Sequence, residues 1–137
     1  MKKKTIAGLI AIVAIVVVTI FAGCVEEEKA AIPTYQIAEQ KDISHANAVR
    51  LSIRVVVLSD ITEQGVKEVA GDVVKKITKS QDVNAIGIFM YDRIEDAYGA
   101  YTVASVDWAP YGDWARAGEV KTGDYSKHQF SYEIAEK

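Results

Sequence analysis

Hydrophobic and polar positions change period several times along this chain, and each change marks an element. Thr5 to Gly23 is apolar except for Thr5 and Thr19, and after Cys24 the composition flips to Val25-Glu26-Glu27-Glu28-Lys29. Thr34 to Glu39 alternates weakly, with Tyr35 and Ile37 on one side, and predicts a first strand. Lys41 to Asn47 is polar, with Asp42, Ser44 and Asn47 as turn formers. Ala48 to Leu58 alternates clearly: Val49, Leu51, Ile53, Val55 and Val57 share one face, and Arg50, Ser52 and Arg54 the other. That polar face turns apolar at Val56 and Leu58, so coverage on both sides is expected there.

From Ser59 the period lengthens. Val66, Val69, Ala70, Val73, Val74 and Ile77 form one helical stripe, predicting a helix to about Lys79. Asp60 with Glu63 has capping-box spacing, and Thr62 is a rival cap. Lys75, Lys76 and Lys79 suit the negative end of the helix dipole. Gly65 and Gly71 weaken the helix by up to about 1 kcal/mol each relative to Ala, which the stripe outweighs.

Val83 to Tyr91 is a nearly continuous apolar run, the pattern of a strand buried on both faces. A polar connection, Asp92 to Gly99, leads to a strand over Tyr101 to Trp108, and the pair reads as a hairpin. In that strand Thr102, Ala104, Val106 and Trp108 share a face. A loop from Ala109 to Lys127 precedes a last strand, Gln129 to Ile134. The order strand, strand, helix, strand, strand, strand predicts an α+β two-layer sandwich. It has one mostly antiparallel mixed sheet of about five strands, with one helix on one face. The helix must cross from the second strand to the third, a connection of right-handed type. Arg50 and Arg54 are expected on the sheet's other face, partly open to water.

The opening segment bears on location. Lys2, Lys3 and Lys4, an apolar core and the small-residue exit Phe21-Ala22-Gly23-Cys24 are the parts of an export signal. The exit resembles the lipobox of prokaryotic lipoproteins, with Phe21 where that motif most often has Leu. The resemblance implies a lipid on Cys24, the chain's single cysteine. The alternative is an uncleaved membrane anchor, because Thr5 to Gly23 as a helix spans roughly 28 Å, about one hydrocarbon thickness. Both readings put the N-terminal lysines on the cytoplasmic side and the body outside, at the cell membrane. The division expected is a signal peptide or anchor over 1–23, a tether over 24–33 and one α+β domain over 34–137.

Charge narrows the partners. The whole chain carries a formal −3, and loss of residues 1–23 removes three lysines and no acid. An acidic body gives no footprint for nucleic acid, and the lipid or the span must supply the membrane attachment. With one cysteine there is no internal disulfide, so packing holds the domain.

Candidate chemistry concentrates in Asp107-Trp108-Ala109-Pro110-Tyr111-Gly112-Asp113-Trp114. Loops rich in large aromatics often bind ligands, since Trp and Tyr offer broad apolar faces with a polar tip. Asp107, Trp108, Tyr111, Asp113 and Trp114 are therefore the candidate ligand-binding residues, for a carbohydrate ring or a protein partner. The competing reading has both tryptophans plugging one end of the sheet. His128, Ser126 and Asp124 contain the residue types of a hydrolytic triad without a nucleophile-elbow context, and His45 stands alone. Asp92, Glu95 and Asp96 match no calcium-loop spacing. Arg50 and Arg54 read as an anion clamp or, more simply, as partners of acids on a neighbouring strand. No catalytic residue, metal ligand or cofactor is assigned. The function expected is ligand binding or protein interaction, with a small extracytoplasmic hydrolase or a structural accessory subunit as alternatives.

Ile43-Ser44, Tyr91-Asp92, Gly99-Ala100-Tyr101-Thr102, the Pro110-to-Trp114 loop and Gly123-Asp124-Tyr125-Ser126 together resemble a small domain family of unknown function in exported proteins of bacteria and archaea. The likeness spans roughly residues 34–134. It implies the domain limits and the importance of the loop, and no activity.

Overall fold

The computed structural model describes residues 31–58 and 60–137, so the leader, Cys24 and most of the tether lie outside the described residues. Five strands form one sheet in the order β1 (Tyr35–Asp42), β2 (Arg50–Val57), β3 (Ala85–Tyr91), β4 (Ala104–Pro110) and β5 (His128–Ile134). The β2–β3 pair is parallel and the other three are antiparallel, with helix α1 (Glu63–Ser80) inserted between β2 and β3. The fold is the α+β arrangement that the pattern predicts. Among the described residues no helix is long and apolar enough to cross a membrane.

Alternation decides which face meets the helix. Leu51, Ile53, Val55 and Val57 of β2, Ile86, Ile88 and Met90 of β3, and Ala104, Val106 and Trp108 of β4 are buried together with Val66, Val69, Ala70, Val73, Val74 and Ile77 of α1. Each fully buried aliphatic side chain contributes about 1.5–3 kcal/mol relative to exposure.

The helix starts at the rival cap. Thr62 Oγ1 accepts from Gly65 N at 3.0 Å, while Asp60 sits in the preceding turn. Gly65 explains the choice: a Cβ there would meet Ile61 Cγ1 at 2.8 Å. The missing side chain lets Ile61 fold back onto the first turn, which places Thr62 at the cap. At the far end Gln81 N donates to Ile77 O at 3.0 Å.

Burial and boundaries differ from the pattern in places, and β1 runs on to Asp42, into the expected turn. Leu58, expected under cover, is 65% exposed: no described residue buries it at that end of β2. β4 begins at Ala104, after Thr102, which is held in the connection: its hydroxyl donates to Asp92 Oδ1 at 2.9 Å and accepts from Asp92 N at 3.0 Å. β4 also continues to Pro110, so part of the supposed loop is strand. β1 shifts register between Ile37 and Glu39, an irregularity that interrupts pairing along the sheet edge.

Candidate functional site

On the face away from α1, cross-strand register lines residues up in rows. One row runs Lys41, Ser52, Gly87, Asp107, Ser131, and the next runs Glu39, Arg54, Phe89, Ser105, Glu133. The loop after β4 supplies a cover for part of this surface. Tyr111 and Gly112 take positive φ (58° and 70°), turning the chain sharply, and Tyr111 N donates to Lys127 O at 2.7 Å. Asp113 Oδ1 then accepts from Ala115 N at 2.9 Å and caps a 3-10 helix, Trp114–Glu119. This carries Trp114 back over the sheet, onto Ala48, Ala85, Ala109 and Ala117.

Gly87 makes the approach possible. A Cβ at Gly87 would stand 3.4 Å from Trp114 Cζ3 and 3.7 Å from Asp107 Oδ1. A bare backbone in a central strand thus lets an indole and a carboxylate come together over it. Beside them lies an open cavity of about 400 Å³ lined by Ile43, Ser52, Gly87, Phe89, Ser105, Asp107 and Trp114. That volume is within the range of small-molecule sites.

The loop is anchored by Asn84, a fully buried polar residue at the entry to β3. Its Oδ1 accepts from Val49 N and Thr122 Oγ1, each at 2.8 Å, and its Nδ2 donates to Ala117 O and Val120 O, each at 3.1 Å. Both ends of the amide are satisfied, so one side chain ties β2, β3 and the Trp114 segment together.

Asp107 is the chemically distinctive group. It is half-buried, and its carboxylate forms no hydrogen bond or ion pair with another described residue. Burial pushes its pKa above the ordinary 3.8, and the neighbouring Asp113 and Glu133 add to the rise. Ser52 and Ser105 likewise have hydroxyls without a partner among the described residues. Three polar groups therefore face an aromatic-walled cavity with hydrogen-bonding capacity to spare.

The structure divides the residues expected to act together. Asp107 and Trp114 line the cavity. Trp108 lies on the opposite face of the sheet, 8% exposed in the core, with ring centroids 4.9 Å from Tyr125 and 4.3 Å from His128. Tyr111 is exposed in the turn, its ring 3.7 Å under the Arg116 guanidinium, and Asp113 serves as the cap just described. Ser52, Gly87, Phe89, Ser105 and Asn84 escaped the sequence reading. Gly87 and Asn84 were detectable as the breaks in an otherwise apolar run.

The other candidates are occupied locally. Arg54 Nε pairs with Glu39 at 3.1 Å, and its Nη1 donates to Tyr91 Oη at 2.6 Å and Ala97 O at 2.7 Å. It is thus the partner of a neighbouring-strand acid rather than a clamp. Arg50 Nη1 donates to His45 O at 3.3 Å. His128 Nε2 lies 2.8 Å from Asn84 O, and burial lowers its pKa below 6.5 against the opposing pull of that carbonyl and Asp124. Asp124 Oδ1 accepts from Ser126 N at 3.1 Å, so this trio forms a turn and not a relay. Among the described residues no His, Cys, Asp and Glu cluster is placed to hold a metal.

The chain matches no family model, no curated protein and no solved structure, so its function is read from this geometry.

Proposed function

We propose that the chain is a membrane-tethered, extracytoplasmic binding module whose cavity beside Trp114 and Asp107 takes a small ligand. The observation that carries the reading is Asp107, a partly desolvated carboxylate left without a partner in a cavity walled by Trp114 and Phe89. A carboxylate partly stripped of water costs folding free energy, and a ligand that replaces the lost water contacts recovers part of it. An apolar ring on Trp114, with polar groups toward Asp107, Ser52 and Ser105, fits the lining. β1 starts beside Val57, whereas the Trp114 loop leaves β4 at the opposite end of the sheet, so the chain enters the fold away from the loop.

A hydrolase has less support. His128, the candidate base, is on the core face, and Asp107 is on the other. The membrane attachment rests on the leader and Cys24. Mass spectrometry of the membrane-extracted chain checks it: a chain starting at Cys24 with added lipid mass is expected, and an unmodified full-length chain in the soluble fraction contradicts it.

Binding is tested on the detergent-purified full chain by a small-molecule screen read through tryptophan emission. Hits are expected to perturb emission in the parent and in Trp108→Phe, and not in Trp114→Phe. Hits that act equally in Trp114→Phe place binding elsewhere and remove the proposal.

A further inference from the structure

We infer that the ligand is a small organic cation, an ammonium group on an apolar or aromatic frame, held by Asp107 against the Trp114 and Phe89 rings. The inference rests on the reading of this cavity as a ligand site. Its first support is charge complementarity. Asp107 brings a carboxylate to the cavity, Glu133 stands on the neighbouring strand diagonal to it, and Asp113 begins the covering segment. Of the arginines on the same face, Arg54 is paired with Glu39 and also donates to Tyr91 and the Ala97 carbonyl, whereas Arg50 donates from Nη1 to the His45 carbonyl and its buried Nε has no partner among the described residues. Lys41 shares the Asp107 row from the edge strand β1, three strands away from Asp107 on β4, and forms no ion pair with it. The charged neighbours that act on Asp107 itself, Asp113 and Glu133, are both acidic, which favours a positive guest.

The second support is the wall chemistry. Indole and phenyl faces attract cations through their quadrupole, most strongly where water is excluded. Phe89 already has one cation near its ring, the Arg54 guanidinium at 5.9 Å, so this surface accommodates such contacts. A neutral ring bearing a hydroxyl would gain the stacking and one hydrogen bond to Asp107, but no charge to offset the carboxylate. An anion would meet the carboxylate directly, at a cost that burial increases.

The test is calorimetric titration of the detergent-purified full chain with three probes: phenethylammonium, its neutral isostere 2-phenylethanol, and methyl β-glucoside. Phenethylammonium is expected to bind at least about tenfold tighter than 2-phenylethanol, the scale of one desolvated cation–π or ion-pair contact. Asp107→Asn is expected to erase that preference while circular dichroism stays unchanged. If 2-phenylethanol or the glucoside binds as tightly as the amine, the cation inference is overturned and the cavity reading stands. If none of the three binds, or binding survives unchanged in Trp114→Phe, both are overturned.

Discussion

Trp108 and Trp114, separated by one short turn in sequence, lie on opposite faces of the same sheet. Trp108 is sealed between the sheet, Tyr125 and His128, and Trp114 lies over Gly87 at the edge of an open cavity. The strand alternation places the first, and the left-handed turn at Tyr111 and Gly112 places the second. A stretch that looks like one aromatic cluster therefore supplies a core residue and a surface wall.

The two indoles should be separable by quenching. Trp114→Phe is expected to leave blue-shifted emission resistant to iodide, and Trp108→Phe to leave a quenchable signal. Trp108→Ala should also cost about 3–5 kcal/mol in urea unfolding, as large aromatic truncations in cores do, with Trp114→Ala costing markedly less. Equal quenching of both indoles would contradict the division.

Asn84 should behave as a keystone. Asn84→Ala leaves the Val49 amide and the Ala117 and Val120 carbonyls without their partner. Buried unsatisfied groups cost about 1–3 kcal/mol each, so a loss of roughly 3 kcal/mol or more is expected in denaturant unfolding. Native-state hydrogen exchange should show protection falling first in the Trp114–Glu119 segment. A loss under about 1 kcal/mol would mean that the amide network is replaced by water.

Asp107 should oppose folding at neutral pH. Its folded pKa lies above 3.8, so between 3.8 and the folded value the native state binds more protons than the unfolded state. Stability falls with rising pH in that window, and the charged form is the less stable one above it. Asp107→Asn is expected to raise the Tm at pH 7, with the gain shrinking as pH falls toward 3.8. A lower Tm for Asp107→Asn at pH 7 would show that the carboxylate is structurally engaged.

His128 titrates with the opposite sense. Burial holds its folded pKa below 6.5, with the Asn84 carbonyl and Asp124 pulling against the shift. The unfolded chain binds the extra proton first, so stability present above pH 6.5 is lost as pH falls through the folded value. Urea midpoints should drop from pH 7.5 to 5, and His128→Phe, which keeps the packing on Trp108 and Tyr125, should flatten that slope. An unchanged slope would move the acid sensitivity to another group.

How much of this was legible before the structure varies by element. The α1 stripe and the β2 alternation were plain because both record one-sided burial with a fixed period. Thr62 prevailed over Asp60 at the helix start because Ile61 packs on Gly65, a contact that cap spacing does not encode. Leu58 misled because an apolar residue at a strand end needs a neighbour to cover it, and sequence carries no such guarantee. Asp107 and Trp114 were visible as chemistry. Their meeting over Gly87 was not, since it depends on Asn84 holding the Ala117 and Val120 carbonyls from far along the chain. The glycine within Val83 to Tyr91 was the available clue, because a glycine inside a strand marks close approach.

The central claim, that the cavity beside Asp107 and Trp114 is a ligand site, is met most directly by amide and indole chemical-shift mapping on the isotopically labelled full chain. With a bound probe, shifts are expected to concentrate at Ser52, Gly87, Phe89, Ser105, Asp107 and the Trp114 indole. Shifts gathered instead at Trp108, Tyr125 or α1, with Gly87 and Trp114 unmoved, would contradict the account.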